Sequence, residues 1–193
     1  YAIYGLVPEA TLLPLDDADC EILDGWSSAR TIYKSLFKYS ALLVGCGLGM
    51  SRQARILIDC LILSPIDVPP LVVDADGLNI ISKFYKWWDR LPEQSILTPH
   101  VGEMSRLTRL SVEQIQSDRL GVVQAYARKW RKVVVLKGAN TLVGEPDGTV
   151  WISGVANPAL AAAGTGDVLS GIILGLASQG LGVADSAVLG VYV

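Results

Sequence analysis

The feature that most constrains the fold is a series of short apolar runs, each of which ends in glycine or polar residues. The runs occupy residues 41–44, 71–73, 95–97 and 132–136, and stretches with helical character separate them. Strands that alternate with helices are typical of parallel sheets with helices on both faces. We therefore predict a three-layer α/β sandwich with a mainly parallel central sheet, in a single domain over residues 1–193.

The remaining elements are predicted from apolar spacing and turn residues. The predicted helices cover residues 27–39, 52–63, 111–130 and 184–193. The other predictions are a strand over 2–6, an exposed loop or strand edge over 12–24, and a hairpin with strands over 141–144 and 149–152. The first strand and the last helix meet the ends of the chain abruptly, which indicates a domain truncated at both ends.

Composition excludes several classes of function. The formal charge is −3 and no Lys/Arg block is present, so a nucleic-acid surface is not expected. Hydrophobic residues make up 51% of the chain, but Gln179, Asp185 and many glycines interrupt the apolar stretches. These stretches are shorter than the roughly 20 apolar residues of a membrane span. Cys20, Cys46 and Cys60 lack metal-ligand spacing, and we interpret them as reduced thiols of a cytoplasmic protein.

The tetrapeptide Gly-Thr-Gly-Asp at residues 164–167 carries the strongest functional signal. Gly164 and Gly166 let backbone approach a ligand closely, and a helix that begins near Thr165 offers unpaired N–H groups to phosphate. A carboxylate at Asp167 would repel that phosphate, so its presence needs a reason, and the simplest is that it is the base that takes a proton from an attacking hydroxyl. The alternative is that Asp167 only complements the helix dipole.

Glycine or charged residues also follow the earlier strands, where ligands bind in open α/β sheets. The alternating glycines at 45, 47 and 49 favour either a tight strand–helix connection or a backbone that faces a ligand. In the segment Asp-Ala-Asp-Gly-Leu-Asn at 74–79, a carboxylate is suited to hydrated Mg²⁺, or Asp76 and Asn79 cap the next helix. Lys137 places a positive charge where phosphate would bind, and Gly138 allows close approach.

His100 is the only histidine of the chain, and its position makes it a candidate. It follows the strand at 95–97 and stands three residues before Glu103. A lone histidine is more often structural, so its position, at the carboxyl end of a strand and before a helix, has to decide between a structural role and a site role.

Five segments together resemble one family: GCGLG, DADGLN, TPHVGE, KGANT and NPALAAAGTGDVLSG, in this order along the chain. They resemble the ADP/ATP-dependent NAD(P)H-hydrate dehydratases, a branch of the ribokinase-like superfamily. The resemblance covers nearly the whole chain and implies a ribokinase-like fold. One departure is Cys46, since relatives usually have proline there.

The resemblance also implies roles for individual residues. Asp167 would be the catalytic base, and Glu103 would order the water shell of Mg²⁺. The substrate would be bound by Gly47, Gly49, His100 and Asp167. The nucleotide would be bound by Lys137, Gly138, Ala139, Asn140, Thr141, Gly164, Thr165 and Gly166. Related kinases carry Asn in place of His100, which makes His100 the best discriminator.

The implied activity is repair of NADH hydrate and NADPH hydrate, with ADP or ATP as phosphoryl donor. The ring hydroxyl would be phosphorylated, and loss of phosphate would restore NAD(P)H. A homo-oligomer is expected, because relatives often form tetramers. One alternative is a ribokinase-like kinase for a vitamin precursor, which would stop after phosphorylation. Another is a nucleotide-binding protein without turnover.

Overall fold

The strands form one mixed sheet. A computed structural model describes residues 6–7, 9–15, 24–63 and 67–193. Within these residues the six strands are β1 (Leu42–Val44), β2 (Leu71–Val73), β3 (Ser95–Leu97), β4 (Val133–Leu136), β5 (Leu142–Gly144) and β6 (Val150–Ile152), and their order in the sheet is their order in the chain. β1 to β4 pair in parallel, whereas β5 and β6 are antiparallel. The predicted mainly parallel sheet and its terminal hairpin are confirmed.

Most predicted helices are confirmed within a few residues. The α-helices of the described part are α1 (Gly25–Ser35), α2 (Arg52–Ile62), α3 (Ala75–Ile81), α4 (Trp87–Arg90), α5 (Val101–Thr108), α6 (Val112–Ser117), α7 (Arg119–Trp130), α8 (Thr165–Ser178) and α9 (Val183–Tyr192). α1 begins two residues before the predicted start, because the Asp24 side chain accepts the Trp26 N–H and caps it.

The prediction of one helix over 111–130 is wrong. Ser111 and Gln114 do form the expected capping box at the start of α6. However, Asp118 has φ −148° and ψ 66°, which is not helical, and its side chain caps α7 by accepting the Gly121 N–H at 2.9 Å. The carboxylate thus offers the backbone a hydrogen bond in place of a continued helix, so α6 ends at Ser117 and α7 begins at Arg119.

The two faces of the sheet are covered by different parts of the chain. Val73 and Leu97 face a core that includes residues of α1 to α7. Their neighbours Val72 and Ile96 face the opposite side, where the core includes Ile173 of α8 and residues of α9. Side chains alternate between faces along a strand, and both faces are buried here, so the runs are apolar throughout. The three-layer sandwich is therefore confirmed.

Three predictions concern residues that the structure does not describe in full. The strand over 2–6 lies outside the described residues except for Leu6. Of the loop over 12–24, residues 12–15 and 24 are described, and 12–15 have no regular structure. Cys46 and Cys60 are free thiols, as predicted, while Cys20 lies outside the described residues.

Candidate active site

The residues that follow the parallel strands meet along one edge of the sheet. Gly45, Asp74, Thr98 and Lys137 come directly after β1, β2, β3 and β4. Because these strands are parallel and adjacent in this order, the four positions form a row, which we call the carboxyl edge. The first turn of α8 lies against this edge, since a Cβ at Gly166 would stand 3.4 Å from Lys137 Nζ. Two segments far apart in sequence therefore form one site.

Asp74 is a buried carboxylate at the carboxyl edge, and both of its oxygens are paired. Its Oδ1 lies 2.7 Å from Lys137 Nζ and also accepts the Ala75 N–H at 2.7 Å. Its Oδ2 accepts the Ser170 hydroxyl at 2.6 Å. The side chain of Asp74 is 1% exposed and that of Lys137 is 19% exposed. Asp74 thus caps α3 and holds a lysine whose ammonium retains access to a ligand.

Ser170 anchors the start of α8 to the sheet. It is fully buried, and besides its bond to Asp74 its Oγ lies 3.3 Å from Thr98 Oγ1. Ser170 stands three residues after Asp167 on α8, so the two share a face of the helix. The buried serine therefore fixes the turn that carries the exposed Asp167 carboxylate. The sequence analysis missed Ser170, because a lone serine in an apolar helix gives no signal of its own.

The start of α8 has the geometry expected of an anion site. Gly164 is the N-cap residue with φ 89°, and no side chain caps the helix. A Cβ at Gly164 would meet open space, so the approach to the first N–H groups is free. Thr165 Oγ1 donates within its own segment, to the carbonyl oxygens of Leu160 or Ala162 at 2.9 Å. The Thr165 N–H donates to the Ala162 carbonyl oxygen at 3.4 Å, so the N–H groups of Gly166 and Asp167 are the ones that the positive end of this 14-residue helix offers to phosphate.

The glycine turn after β1 packs on the start of α3. At Gly45 φ is 125°, and a Cβ there would collide with the Asp74 carbonyl oxygen. At the other end of the turn the Gly49 N–H donates to Asp76 Oδ2 at 2.8 Å. A Cβ at Gly47 or Gly49 would meet open space. The turn therefore presents bare backbone on its outer side, as a ligand-facing segment would.

Asp76 and Asn79 do not cap α3, and that alternative is wrong. The cap is Asp74, which the sequence analysis treated only as one carboxylate of its segment. Asp76 holds the glycine turn instead, and Asn79 Oδ1 accepts Arg106 Nε–H at 2.7 Å. The missed signal is the position of Asp74 directly after a buried strand.

His100 and Glu103 form a reciprocal cap at the start of α5. His100 Nδ1 accepts the Gly102 N–H at 2.9 Å, and Glu103 Oε2 accepts the His100 N–H at 2.9 Å. Because Nδ1 is an acceptor, these contacts assign the ring proton of a neutral His100 to Nε2, which lies 3.4 Å from Glu103 Oε1. The imidazole is 54% exposed. His100 therefore caps α5 and at the same time exposes part of its ring to solvent.

Glu103 connects this cap to Lys137. Its side chain is 6% exposed, and Oε2 lies 3.9 Å from Lys137 Nζ. Burial raises the pKa of Glu103, while the His100 N–H and the charge of Lys137 act in the opposite direction. Lys137 thus stands between two buried carboxylates, which hold its ammonium in a fixed position.

The segment after Lys137 is organised by Arg119, a residue that the sequence analysis did not single out. Arg119 donates to the Ala139 carbonyl and its guanidinium lies against Gly138. Asn140 has φ 51°, and its N–H donates to the Val155 carbonyl at 3.2 Å. Thr141 Oγ1 donates to the Gly138 carbonyl at 3.0 Å. The predicted nucleotide-binding segment is therefore an ordered loop next to Lys137, whose contacts within the protein are mostly to backbone.

Cys46 stands opposite Asp167 at this site. Its Sγ and one carboxylate oxygen from each of Asp74 and Asp167 lie within 4.8 Å of one another. Burial, followed by a hydrogen bond to Asp167 and the charges of both aspartates, raises the pKa of Cys46 to about 12. Lys137 acts in the opposite direction. The thiol is therefore protonated at neutral pH.

A cavity of about 650 Å³ lies elsewhere, near the amino ends of the strands, and is a poorer candidate. Its lining includes Ser40, Pro70, Gln94 and the segment between α8 and α9. None of the lining residues is ionisable. The groups able to move a proton or hold phosphate are at the carboxyl edge, so we place the candidate active site there.

Comparison with known proteins identifies the family of the chain. A sequence model of the NAD(P)H-hydrate dehydratase family matches residues 7–193. The chain belongs to the NAD(P)H-hydrate dehydratase family. Within this family, the chain is 44% identical over 146 residues to the bifunctional NAD(P)H-hydrate repair enzyme Nnr of Moorella thermoacetica, which covers 76% of this chain and 28% of that protein. It is 40% identical over 155 residues to the ADP-dependent (S)-NAD(P)H-hydrate dehydratase of Neisseria meningitidis, covering 79% and 52%.

Solved structures give the same assignment of fold. The ADP/ATP-dependent NAD(P)H-hydrate dehydratase of Bacillus subtilis, co-crystallised with ATP/Mg²⁺ and soaked with CoA, matches with a TM-score of 0.76 and 28% identity. The match covers 99% of this chain and 64% of that structure. A ribokinase-like superfamily protein of Enterococcus faecalis matches with a TM-score of 0.76 at 24% identity, over 97% and 61%. The ribokinase-like fold is confirmed. The chain spans less than two thirds of the length of each of these relatives.

Within the described residues, no helix of this family member combines the length and the apolar character that crossing a bilayer requires. The structure does bring together Asp167, the glycines beside it, Lys137, His100 and Glu103. Asp74 and Ser170 are the further residues that hold this set in place.

Proposed function

We propose that this protein dehydrates (S)-NADH hydrate and (S)-NADPH hydrate, with ADP or ATP as the phosphoryl donor. The observation that carries the proposal is the position of Asp167. An exposed carboxylate stands in the first turn of a helix whose N-terminus is open to an anion, beside a lysine held by Asp74. Membership of the family supports the choice of substrate, and the ADP-dependent and ADP/ATP-dependent activities of the relatives support the choice of donor.

The chemistry has two steps. In the first, the ring hydroxyl of the hydrate attacks the terminal phosphoryl group, and Asp167 takes the hydroxyl proton. The leaving nucleotide is AMP when ADP is the donor, and ADP when ATP is the donor. In the second step the C–O bond breaks, its electron pair leaves with phosphate, and a proton is lost from the adjacent ring carbon. The ring double bond is restored without any change in oxidation state.

Phosphoryl transfer depends mainly on positioning and on stabilisation of charge. The N–H groups of Gly164 and Gly166 and the ammonium of Lys137 are the groups that would face the transferred phosphoryl oxygens. The ion pair with Asp74 keeps Lys137 next to Gly166, so this charge needs no rearrangement when nucleotide binds. The ordered loop formed by Gly138, Ala139, Asn140 and Thr141 would contact the rest of the nucleotide.

Mg²⁺ is the metal that the family implies, and the carboxyl edge offers Glu103 as a carboxylate that would contact it through water. Mg²⁺ prefers oxygen ligands and keeps several waters, bound through substrate phosphates and one or two carboxylates. Both oxygens of Glu103 already lie against His100, so Glu103 suits a contact through water better than direct ligation. Mg²⁺ would supply charge neutralisation at the nucleotide phosphates, and Glu103 would hold its water shell.

The substrate would lie over the glycine turn and the exposed ring of His100. Gly47 and Gly49 have open space where a side chain would stand, which leaves room for a flat ring. His100 is capped on the Nδ1 side, so its ring orientation is set before substrate binds. A homo-oligomer, which the family resemblance leads us to expect, remains part of the proposal.

The direct test is to incubate the protein with NADH hydrate, Mg²⁺ and either ADP or ATP, and to follow the absorbance of restored NADH. Appearance of NADH that requires nucleotide, and its loss in Asp167→Asn, is the expected result. A phosphorylated hydrate that accumulates without release of phosphate would identify a kinase instead. Nucleotide binding without turnover would overturn the proposal as well.

A further inference from the structure

Arg119 stands at the first position of α7, where a positive charge is unfavourable. The Asp118 cap sets this position, and the first turn of α7 holds no acidic residue that would offset a cation at the positive end of the helix dipole. Burial also lowers the pKa of the guanidinium, and its Nε–H is buried without a hydrogen-bond partner among the described residues. The position of Arg119 therefore needs a reason outside α7.

The contacts of Arg119 with the loop after β4 supply that reason. Its Nη1 donates to the Ala139 carbonyl, and its Nη2 donates to the Leu136 carbonyl at 3.4 Å. Between these two carbonyls stands Gly138, which has φ 148°, and a Cβ there would lie only 3.1 Å from Nη2. One guanidinium thus packs against the glycine and bonds to backbone on both sides of it.

The bond to the Ala139 carbonyl also fixes the amide on the other side of that peptide bond. The N–H and C=O groups of a trans peptide lie in one plane and point in opposite directions. The N–H of this peptide belongs to Asn140 and donates to the Val155 carbonyl at 3.2 Å. Gly138 and Ala139 are exposed, and their N–H groups have no acceptor among the described residues. The loop therefore combines a fixed backbone with two N–H groups that are available to a ligand.

We propose that Arg119 is a positioning residue for the nucleotide, which holds residues 138–141 in their binding conformation by bonding to the carbonyls of Leu136 and Ala139. This inference rests on the proposed function, because it needs this loop to bind ADP or ATP. A loop that is ordered before the ligand arrives loses less conformational entropy on binding, which raises affinity. Arg119 acts through the backbone of the loop, so it should affect nucleotide affinity and not the chemical step.

The test compares Arg119→Ala, which removes the guanidinium, with Arg119→Lys, which keeps the charge but not the planar fork. In Arg119→Ala, the Kd of ADP or ATP with Mg²⁺, measured by calorimetry, should rise about fivefold to thirtyfold. KM for the nucleotide should rise with it, whereas kcat at saturating nucleotide and KM for the hydrate should keep their wild-type values. The loss of affinity in Arg119→Lys should be nearly as large, because an ammonium cannot bond to both carbonyls in the same fixed geometry.

Arg128→Ala is the matched control, because Arg128 holds a different loop in the same way. It also lies on α7, its Nε donates to the Asp147 carbonyl at 3.1 Å, and its guanidinium lies against Gly148 in the turn between β5 and β6. This variant should bind nucleotide as the wild type does. Wild-type affinity in Arg119→Ala would overturn the inference. Wild-type affinity in Arg119→Lys would also overturn it, because charge alone would then account for the effect, and so would an equal loss in Arg128→Ala.

A second readout does not depend on turnover. In the protein without nucleotide, amide hydrogen exchange at Asn140 should be faster in Arg119→Ala than in the wild type, while the amides of β4 keep their protection. Unchanged exchange at Asn140, or faster exchange throughout β4 as well, would overturn the inference, since Arg119 would then not order the loop or would only stabilise the fold.

Failure of this inference is distinguishable from failure of the proposed function. A wild-type protein that binds neither ADP nor ATP would overturn the proposed function. A wild-type protein that binds nucleotide, with the same affinity in Arg119→Ala, would overturn only the role of Arg119.

Discussion

Asp74 and Lys137 form an ion pair that bridges an intervening strand. Lys137 Nζ lies 2.7 Å from Asp74 Oδ1, although the two residues follow β2 and β4, which are separated by β3. Strands are spaced about 4.8 Å apart, so the two side chains and the contact between them together span two such spacings, or about 10 Å. The pair ties the phosphate side of the candidate site to the cap of α3.

The first prediction concerns the stability that this pair provides. Asp74→Asn keeps the size and the capping ability of the side chain but leaves the Lys137 ammonium without its main partner. Removing one partner of a buried pair is strongly destabilising, and we expect the free energy of unfolding in urea to fall by about 3 kcal/mol. This is the lower end of the usual range, because Lys137 keeps partial access to solvent and Glu103 lies 3.9 Å away.

Asp59→Asn is the matched control for that experiment. It removes the carboxylate of an ion pair with Arg90 in which both side chains are more than one third exposed. Exposed pairs contribute little, so a loss below about 1 kcal/mol is expected. Equal losses of stability in the two variants would contradict the larger contribution that we expect from the buried pair of Asp74 and Lys137.

The second prediction concerns the nucleotide. Lys137→Ala should weaken binding of ADP or ATP by about 1–3 kcal/mol, because a charge-assisted bond to phosphate is lost. Calorimetry measures the affinity, and thermal unfolding of the same samples shows whether the variant is folded. Lys129→Ala, on the surface of α7, should bind nucleotide as the wild type does. An unchanged affinity in Lys137→Ala would limit this lysine to a structural role.

The third prediction separates the two contacts of His100. Asparagine is a good helix cap, so His100→Asn should keep α5 and the melting temperature close to the wild-type value. Loss of the exposed ring should raise KM for the hydrate more than it weakens nucleotide binding. If the melting temperature drops while both affinities are retained, His100 is structural and its assignment to the substrate is wrong.

The fourth prediction concerns Asp167. Asp167→Asn preserves the shape of the side chain and removes the proton acceptor, so turnover should fall by about 10²- to 10⁴-fold. Nucleotide affinity should hold or rise, because a negative charge beside phosphate is gone. Stability should change little, since Asp167 is exposed and α8 has no side-chain cap. Near-normal turnover in this variant would exclude Asp167 as the base.

The fifth prediction concerns pH and Glu103. Burial raises the pKa of Glu103 above its ordinary value of 4.5, so above that pH the folded state binds more protons than the unfolded state. The free energy of unfolding should therefore decrease as pH rises from 4.5 through the pKa of the folded protein, and be constant beyond it. Urea unfolding at several pH values should show this decrease in the wild type and not in Glu103→Gln.

If the difference between wild type and Glu103→Gln has the opposite sign, favourable contacts with Lys137 outweigh burial at this carboxylate.

The sequence predicted what depends on local pattern. The strands, the hairpin and the start of α8 follow from apolar runs and glycine positions, and the carboxyl edge follows from the parallel topology. The pairing of Asp74 with Lys137 could not be predicted, because it requires the order of β2, β3 and β4 in the sheet. Ser170 was hidden in an apolar helix, where a lone serine carries no signal until its burial is known. The break at Asp118 escaped because a cap inside a helical pattern is visible only in its backbone angles.

The order of the strands has a consequence for how the molecule assembles. Since the order in the sheet is the order in the chain, each strand of the described part finds its neighbour already synthesised. The sheet is able to grow in one direction, which shortens the loops that must close at each step. The contacts of Asp74, however, are complete only when Lys137 and then Ser170 have joined the structure, and Ser170 lies 96 residues after Asp74. The scaffold is therefore expected to fold before the site, and the closing of α8 over the buried carboxylate is expected to be a late event.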